Sequence, residues 1–167
     1  MVMTNKMTKR IIMLVGVPAS GKSTWIEKEF QGQCWVCSTD NIIQYMADHE
    51  NNTYNGVFNK YIKVAERVMW EDFDRFVDGN HYPIIIDRTN LNPKSRKKFF
   101  DRLKNFHPNH GYEIEAVVFP TPEKEEWERR LNSRPGKNIP QSVLDSMAQS
   151  MQQPTLSEGF SKINISS

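Results

Sequence analysis

At 167 residues the chain has the length of one domain able to bury a core, and 38% hydrophobic with 25% charged residues is the balance of a globular protein. No apolar run approaches the ~20 residues that span a bilayer, and Met1 to Arg10 is polar without the apolar stretch of a signal peptide, so a cytoplasmic protein is expected, with a flexible N-terminus over residues 1–9. A net charge of +2 is too small to argue for a nucleic-acid partner by itself.

Ile11-Ile12-Met13-Leu14-Val15 reads as a short buried strand, and a helix is expected over about residues 22–30. Between them, Gly16-Val17-Pro18-Ala19-Ser20-Gly21-Lys22-Ser23, with Thr24 behind it, matches the phosphate-loop pattern G-x-x-x-x-G-K-[ST]. Strand, glycine loop and helix are the context that gives the match physical meaning. The glycines let the backbone wrap so that its N–H groups, and the positive end of the helix, face an anion. Lys22 is expected to reach the β- and γ-phosphates of a nucleoside triphosphate, and the Ser23 hydroxyl to ligate Mg²⁺.

Gln33 to Ser38 reads as a second strand, and residues 40–50 as a short helix. Cys34 and Cys37 form a C-x-x-C, but three residues apart on a strand they point to opposite faces, and no second cysteine pair completes a zinc site. They are expected to be packed structural cysteines. Val57, Tyr61, Val64, Ala65, Val68, Met69 and Phe76 recur at helical spacing over residues 54–78. Pro83 to Ile86 is a third strand, and Asn92-Pro93 opens a helix to Phe106. A fourth strand over residues 112–119, helices over 122–133 and 140–152, and a last strand over 160–165 complete the pattern. Alternation of this kind implies an α/β fold with a parallel sheet of about five strands and helices on both faces.

Ligands of such sheets bind beyond the carboxyl ends of the strands. Asp40, after strand two, is placed to accept a proton from an attacking hydroxyl, or else to cap the next helix. Asp87, after strand three, has the position of a Mg²⁺-shell carboxylate, or else holds Arg88 or caps a turn. Arg129, Arg130, Arg134 and Lys137 run from a helix end into a Pro-Gly loop, which reads as a small lid over about residues 129–140 or as a solvated helix end.

These residues together resemble the kinase module of polynucleotide 5′-hydroxyl kinases, the P-loop kinases of phage and eukaryotic repair systems, over about residues 10–165. The shared stretches are Gly16 to Thr24 with Pro18, the run Thr89-Asn90-Leu91-Asn92-Pro93, Asn132 to Lys137, and Pro154-Thr155-Leu156-Ser157-Glu158-Gly159-Phe160. The resemblance implies that Asp40 activates a 5′-hydroxyl of DNA or RNA, while Lys22 and Arg134 stabilise the γ-phosphoryl of ATP and Ser23 holds Mg²⁺. It assigns ATP binding to Gly16, Pro18, Ala19, Ser20, Gly21 and Thr24, with Arg130 and Lys137, and acceptor binding to Asp87, Arg88 and Asn90.

Two positions depart from the phage members. Ile43 stands where they carry an arginine three residues after the base, and Arg88 where they carry an aspartate, so Arg88 is a candidate for the cation that Ile43 does not supply. The chain has no strand followed by Asp-x-Asp-Gly-Thr, and no phosphatase activity is expected. Lys94, Arg96, Lys97, Lys98 and Arg102 form a basic stretch that reads as a solvated helix face or as a phosphate contact. Trp35, Tyr45 and Tyr54 read as core residues or as base-stacking platforms. Besides a polynucleotide kinase, the residues admit a kinase of a small hydroxyl compound and a nucleotide-binding module without catalysis.

Overall fold

Apolar at every position from Ile11 to Val15, the first strand, β1 (Lys9–Val15), is buried on both faces because it lies at the centre of the sheet. The computed structural model describes residues 9–166, so the N-terminus expected to be flexible lies, Lys9 apart, outside the described residues. The remaining elements are α1 (Lys22–Phe30), β2 (Trp35–Cys37), α2 (Thr39–His49), α3 (Tyr54–Asp78), β3 (Ile84–Ile86), α4 (Pro93–Phe106), β4 (Tyr112–Val118), α5 (Lys124–Asn132), α6 (Gln141–Ser150) and β5 (Lys162–Ile165). The strands pair in parallel in the order β2-β3-β1-β4-β5, the five-stranded α/β architecture expected from the alternation.

Successive β1 residues feed two different cores. Ile11, Met13 and Val15 pack with Met69, Phe73, Phe99 and Leu103 of α3 and α4, whereas Ile12 and Leu14 pack with Trp25, Ile26 and Phe30 of α1. Cys37 joins the first core and Cys34 packs on the second; both are free thiols on opposite faces, as their spacing requires. No helix among the described residues is long and apolar enough to cross a membrane.

Two expectations need correction. The basic stretch of α4 is not one solvated face, because Arg96 is completely buried. Its guanidinium donates to Glu158 and to the Asn90 and Gln152 carbonyls at 2.8–2.9 Å. Arg102 pairs with Asp74 of α3, and Lys97 with Asp101. The aromatic residues also divide: Tyr54 is buried, while Tyr45 is exposed, stacked on His49, and Trp35 is partly exposed against Phe76 and His81.

Candidate functional site

All the parallel strands point their carboxyl ends at one edge of the sheet, where a cleft of about 1140 Å³ opens. That exceeds the ~300–1,000 Å³ of a typical small-ligand site and leaves room for two substrates. The phosphate loop forms its floor: Pro18 through Thr24 line the cleft. Gly21, at φ 103°, takes the N-cap position of α1, and no side chain caps that helix, so its first N–H groups remain available to an anion. Ala19 is held in the left-handed region at φ 59°, a strained conformation of the kind found at ligand clamps. Gly16 is required sterically, since a Cβ there would lie 2.7 Å from Ser20 Oγ and 2.9 Å from Phe119 Cβ.

Lys22 Nζ donates to the Gly16 and Val17 carbonyls, both at 2.8 Å, which folds the side chain back over the loop. Burial lowers its ammonium to about 8, against the opposing pull of Asp87 and Asp40. The buried Ser20 Oγ has no partner among the described residues, an orphan a phosphate oxygen would satisfy.

Asp40 is not the cap of its helix. Ser38 is: its Oγ accepts from the Asn41 N–H at 3.2 Å, leaving the Asp40 carboxylate to face the cleft. The Tyr54 hydroxyl donates to Asp40 Oδ1 and Lys137 Nζ to Oδ2, both at 2.7 Å. Burial pushes the Asp40 carboxyl up, but Lys137, Tyr54 and Arg134 outweigh it and hold the group below the usual carboxylate range. Tyr54, raised by burial and by Asp40, stays a hydrogen-bond donor. Its role was invisible in a residue that fits the helical apolar pattern equally well.

Asp87 also faces the cleft, beside Lys22. Burial pushes its carboxyl up, with Lys22 opposing, and its side chain makes no hydrogen bond among the described residues. A carboxylate in that state, lining the same cleft as the Ser23 hydroxyl, fits a hard cation such as Mg²⁺. Arg88 does line the cleft, but it is forked onto Glu66 of α3 at 2.8 and 3.0 Å, and Glu66 also accepts from the Thr39 hydroxyl. Glu66 carried no motif signal. Asn90 is turned away from the cleft, which corrects its assignment to the acceptor: buried at φ 48°, it donates from Nδ2 to the Leu14 carbonyl at 2.8 Å. Ile43 is wholly buried in the core between α2 and α3.

The segment read as a lid is the end of α5 plus the loop to α6. Arg130 pairs with Glu126 and reaches the Ala19 carbonyl at 3.4 Å, while Arg134 and Lys137 line the cleft and bear electrostatically on Lys22. The loop is fastened to the start of α3: the Asn55 N–H donates to the Gly136 carbonyl at 2.9 Å, and Asn55 Nδ2 to the Asn138 carbonyl at 3.1 Å. Gly136, at φ 76°, sits so close to Thr53 that a Cβ would approach its Cβ to 2.7 Å.

Comparison with known proteins places this arrangement. Residues 11–154 match the family model described as AAA domain. The bifunctional polynucleotide phosphatase/kinase of Schizosaccharomyces pombe is 26% identical over 160 residues, 93% of this chain and 33% of that protein. The chain thus spans about a third of the length of this curated relative. Among solved structures, a provisionally assigned kinase from Chloroflexus aurantiacus J-10-fl superposes with a TM-score of 0.68 over 95% of this chain and 87% of that one, at 17% identity. A chain of the PezAT chromosomal toxin–antitoxin system of Streptococcus pneumoniae gives 0.53 over 74% and 51%, at 22% identity. The chain shares with these structures its fold, a five-stranded parallel sheet flanked by helices.

Proposed function

The chain belongs to the AAA domain family, and from that premise we propose that it is an ATP-dependent phosphotransferase that moves the γ-phosphoryl of ATP to a 5′-hydroxyl of DNA or RNA. The observation that carries this reading is the Asp40 carboxylate, freed from capping by Ser38 and sharing one cleft with the Lys22 ammonium. The likeness to the S. pombe protein supports the choice of acceptor.

The acceptor oxygen attacks the γ-phosphorus, its proton passes to Asp40, and the bond to the bridging oxygen of the departing ADP breaks. Tyr54 and Lys137 each engage one Asp40 oxygen, and the Lys137 ammonium lowers the basicity of the carboxylate, so release of Lys137 strengthens the base. The lid then carries that ammonium, with Arg134, to the γ-phosphoryl, where loop cations neutralise charge as it develops. Lys22 exchanges its two carbonyl partners for phosphate oxygens. Ser23 and Asp87 are the residues that would hold Mg²⁺, which offsets charge on the phosphate oxygens.

A small hydroxyl compound as acceptor is the second reading, favoured by one observation. Ile43 is buried where the phage enzymes place a phosphate-binding arginine, and Arg88 is neutralised by Glu66 rather than left free to replace it. Incubation with Mg²⁺ and γ-labelled ATP, offering 5′-hydroxyl oligonucleotides, the same oligonucleotides with 5′-phosphate ends, and nucleosides or sugars, separates the two. Label on the 5′-hydroxyl ends alone is the expected result. Label on the small compounds alone would change the acceptor, and ATP binding with no transfer would overturn the phosphotransferase itself.

A further inference from the structure

A second constellation of chemistry lies away from the cleft, where α3 and α4 both end. Asp78 is the last residue of α3, His107 follows the last residue of α4, and His110 stands in the loop leading to β4. Their ligand atoms all lie within 4.8 Å of one another, and none of the three lines the cleft.

The imidazole of His107 is buried and oriented from both sides. One ring nitrogen, Nε2, lies 2.8 Å from Asp74 Oδ1, and Asp74 is itself fixed by Arg102. The other, Nδ1, lies 3.0 Å from Asp78 Oδ1, and His110 Nε2 lies 3.7 Å from that same oxygen. A neutral ring that donates Nε2–H to Asp74 turns the lone pair of Nδ1 at a carboxylate oxygen. Two acceptors at that distance need a positive charge between them. A carboxylate behind a histidine is also how metal-bound imidazoles are held in one tautomer.

The spacing and the field agree. Zinc bound tetrahedrally at ~2.0–2.1 Å sets its ligand atoms about 3.3 Å apart, and the 3.0 and 3.7 Å from Asp78 Oδ1 to the two ring nitrogens bracket that edge, the third pair lying within 4.8 Å. Two helix C-termini converge there, and the negative ends of their dipoles favour a cation. No lysine or arginine pairs with Asp78 among the described residues. Two imidazoles with one carboxylate suit zinc-class ions rather than Mg²⁺. We infer that Asp78, His107 and His110 form a site for a zinc-class divalent cation that ties the ends of α3 and α4 to the start of β4, separate from any Mg²⁺ that accompanies the nucleotide.

The full chain, freed of metal by chelator and without nucleotide, is titrated with Zn²⁺ and separately with Co²⁺, reading stoichiometry by calorimetry and the thermal midpoint by scanning. One equivalent and a raised midpoint are expected. His110→Ala and Asp78→Asn, at the partly exposed ligands, should each weaken binding by about tenfold or more, while Cys34→Ser leaves it intact. A histidine held as a cation between two carboxylates would give no metal binding, which overturns the site. Binding that persists in both ligand variants, or that disappears in Cys34→Ser, overturns it as well.

Discussion

At Lys22 the charge proposed to recognise phosphate is itself within reach of titration. Burial lowers the ammonium from 10.5 to about 8 in the free protein, and a bound polyphosphate favours the charged form. The charge is present below that value and lost above it, so ATP affinity should fall as pH rises through 8, by up to about tenfold per pH unit. Nucleotide titrations followed by tryptophan fluorescence, with Trp25 lining the cleft, would show it; a flat affinity up to pH 9 would contradict it. Asp40 carries the opposite dependence. Its carboxyl is held low chiefly by Lys137 against burial, so the proposed base is ionised through neutral pH and fails only on acidification. Lys137→Ala removes the charge that holds it low, and the acid limb of kcat/KM should move to higher pH; an unmoved limb would mean that the pair is not what sets the base. The lysine of the glycine loop was legible in the sequence because the motif has fixed spacing. Asp40 was legible only as a choice between base and cap, since both roles need a carboxylate after a strand, and the position of the Ser38 hydroxyl removes the cap. Tyr54 and Glu66 were not legible, because helical periodicity says which face of α3 is buried but not which group on it meets a strand end.

Among the elements, the C-terminal stretch from Pro154 to Phe160 acts at a distance through α4. Glu158 closes a capping box with Thr155 and also receives the buried guanidinium of Arg96, which in turn holds the Asn90 carbonyl. Asn90 clamps the turn after β3 to β1, and the Gly16 N–H donates to the Thr89 carbonyl at 3.0 Å. The tail thereby fixes the loop that presents Asp87 and Arg88 to the cleft. Its resemblance to the kinase module has a physical basis in scaffolding rather than in substrate contact. Glu158→Gln leaves the Arg96 charge buried without its partner, and a loss of about 3–5 kcal/mol in urea unfolding is expected; a loss below about 1 kcal/mol would mean that the backbone carbonyls suffice. The basic run on α4 misled the sequence reading because charge is visible there and burial is not. At the lid, Gly136→Ala would collide with Thr53 and strain a positive φ, which should loosen the loop from α3 and weaken the Lys137–Asp40 pair. Faster proteolysis of the loop, without loss of the global unfolding midpoint, is the expected sign.

Over the whole molecule, the alternation of apolar runs and helical patterns was enough to establish a parallel sheet, because strands buried on both faces read as unbroken hydrophobic stretches. The order β2-β3-β1-β4-β5 was not written in any local pattern, since it depends on which helix covers which face. The rule that ligands gather at the carboxyl ends of strands nonetheless carried Asp40 and Asp87 to one cleft with the phosphate loop. The central claim rests on that convergence, and single-turnover transfer from ATP by the wild type and by Asp40→Asn tests it most directly, with ATP affinity measured on the same samples. The account predicts a fall in transfer of about 10²–10⁴-fold with ATP affinity changed by less than about threefold. Transfer at the wild-type rate, or a parallel loss of ATP binding and transfer, would contradict it.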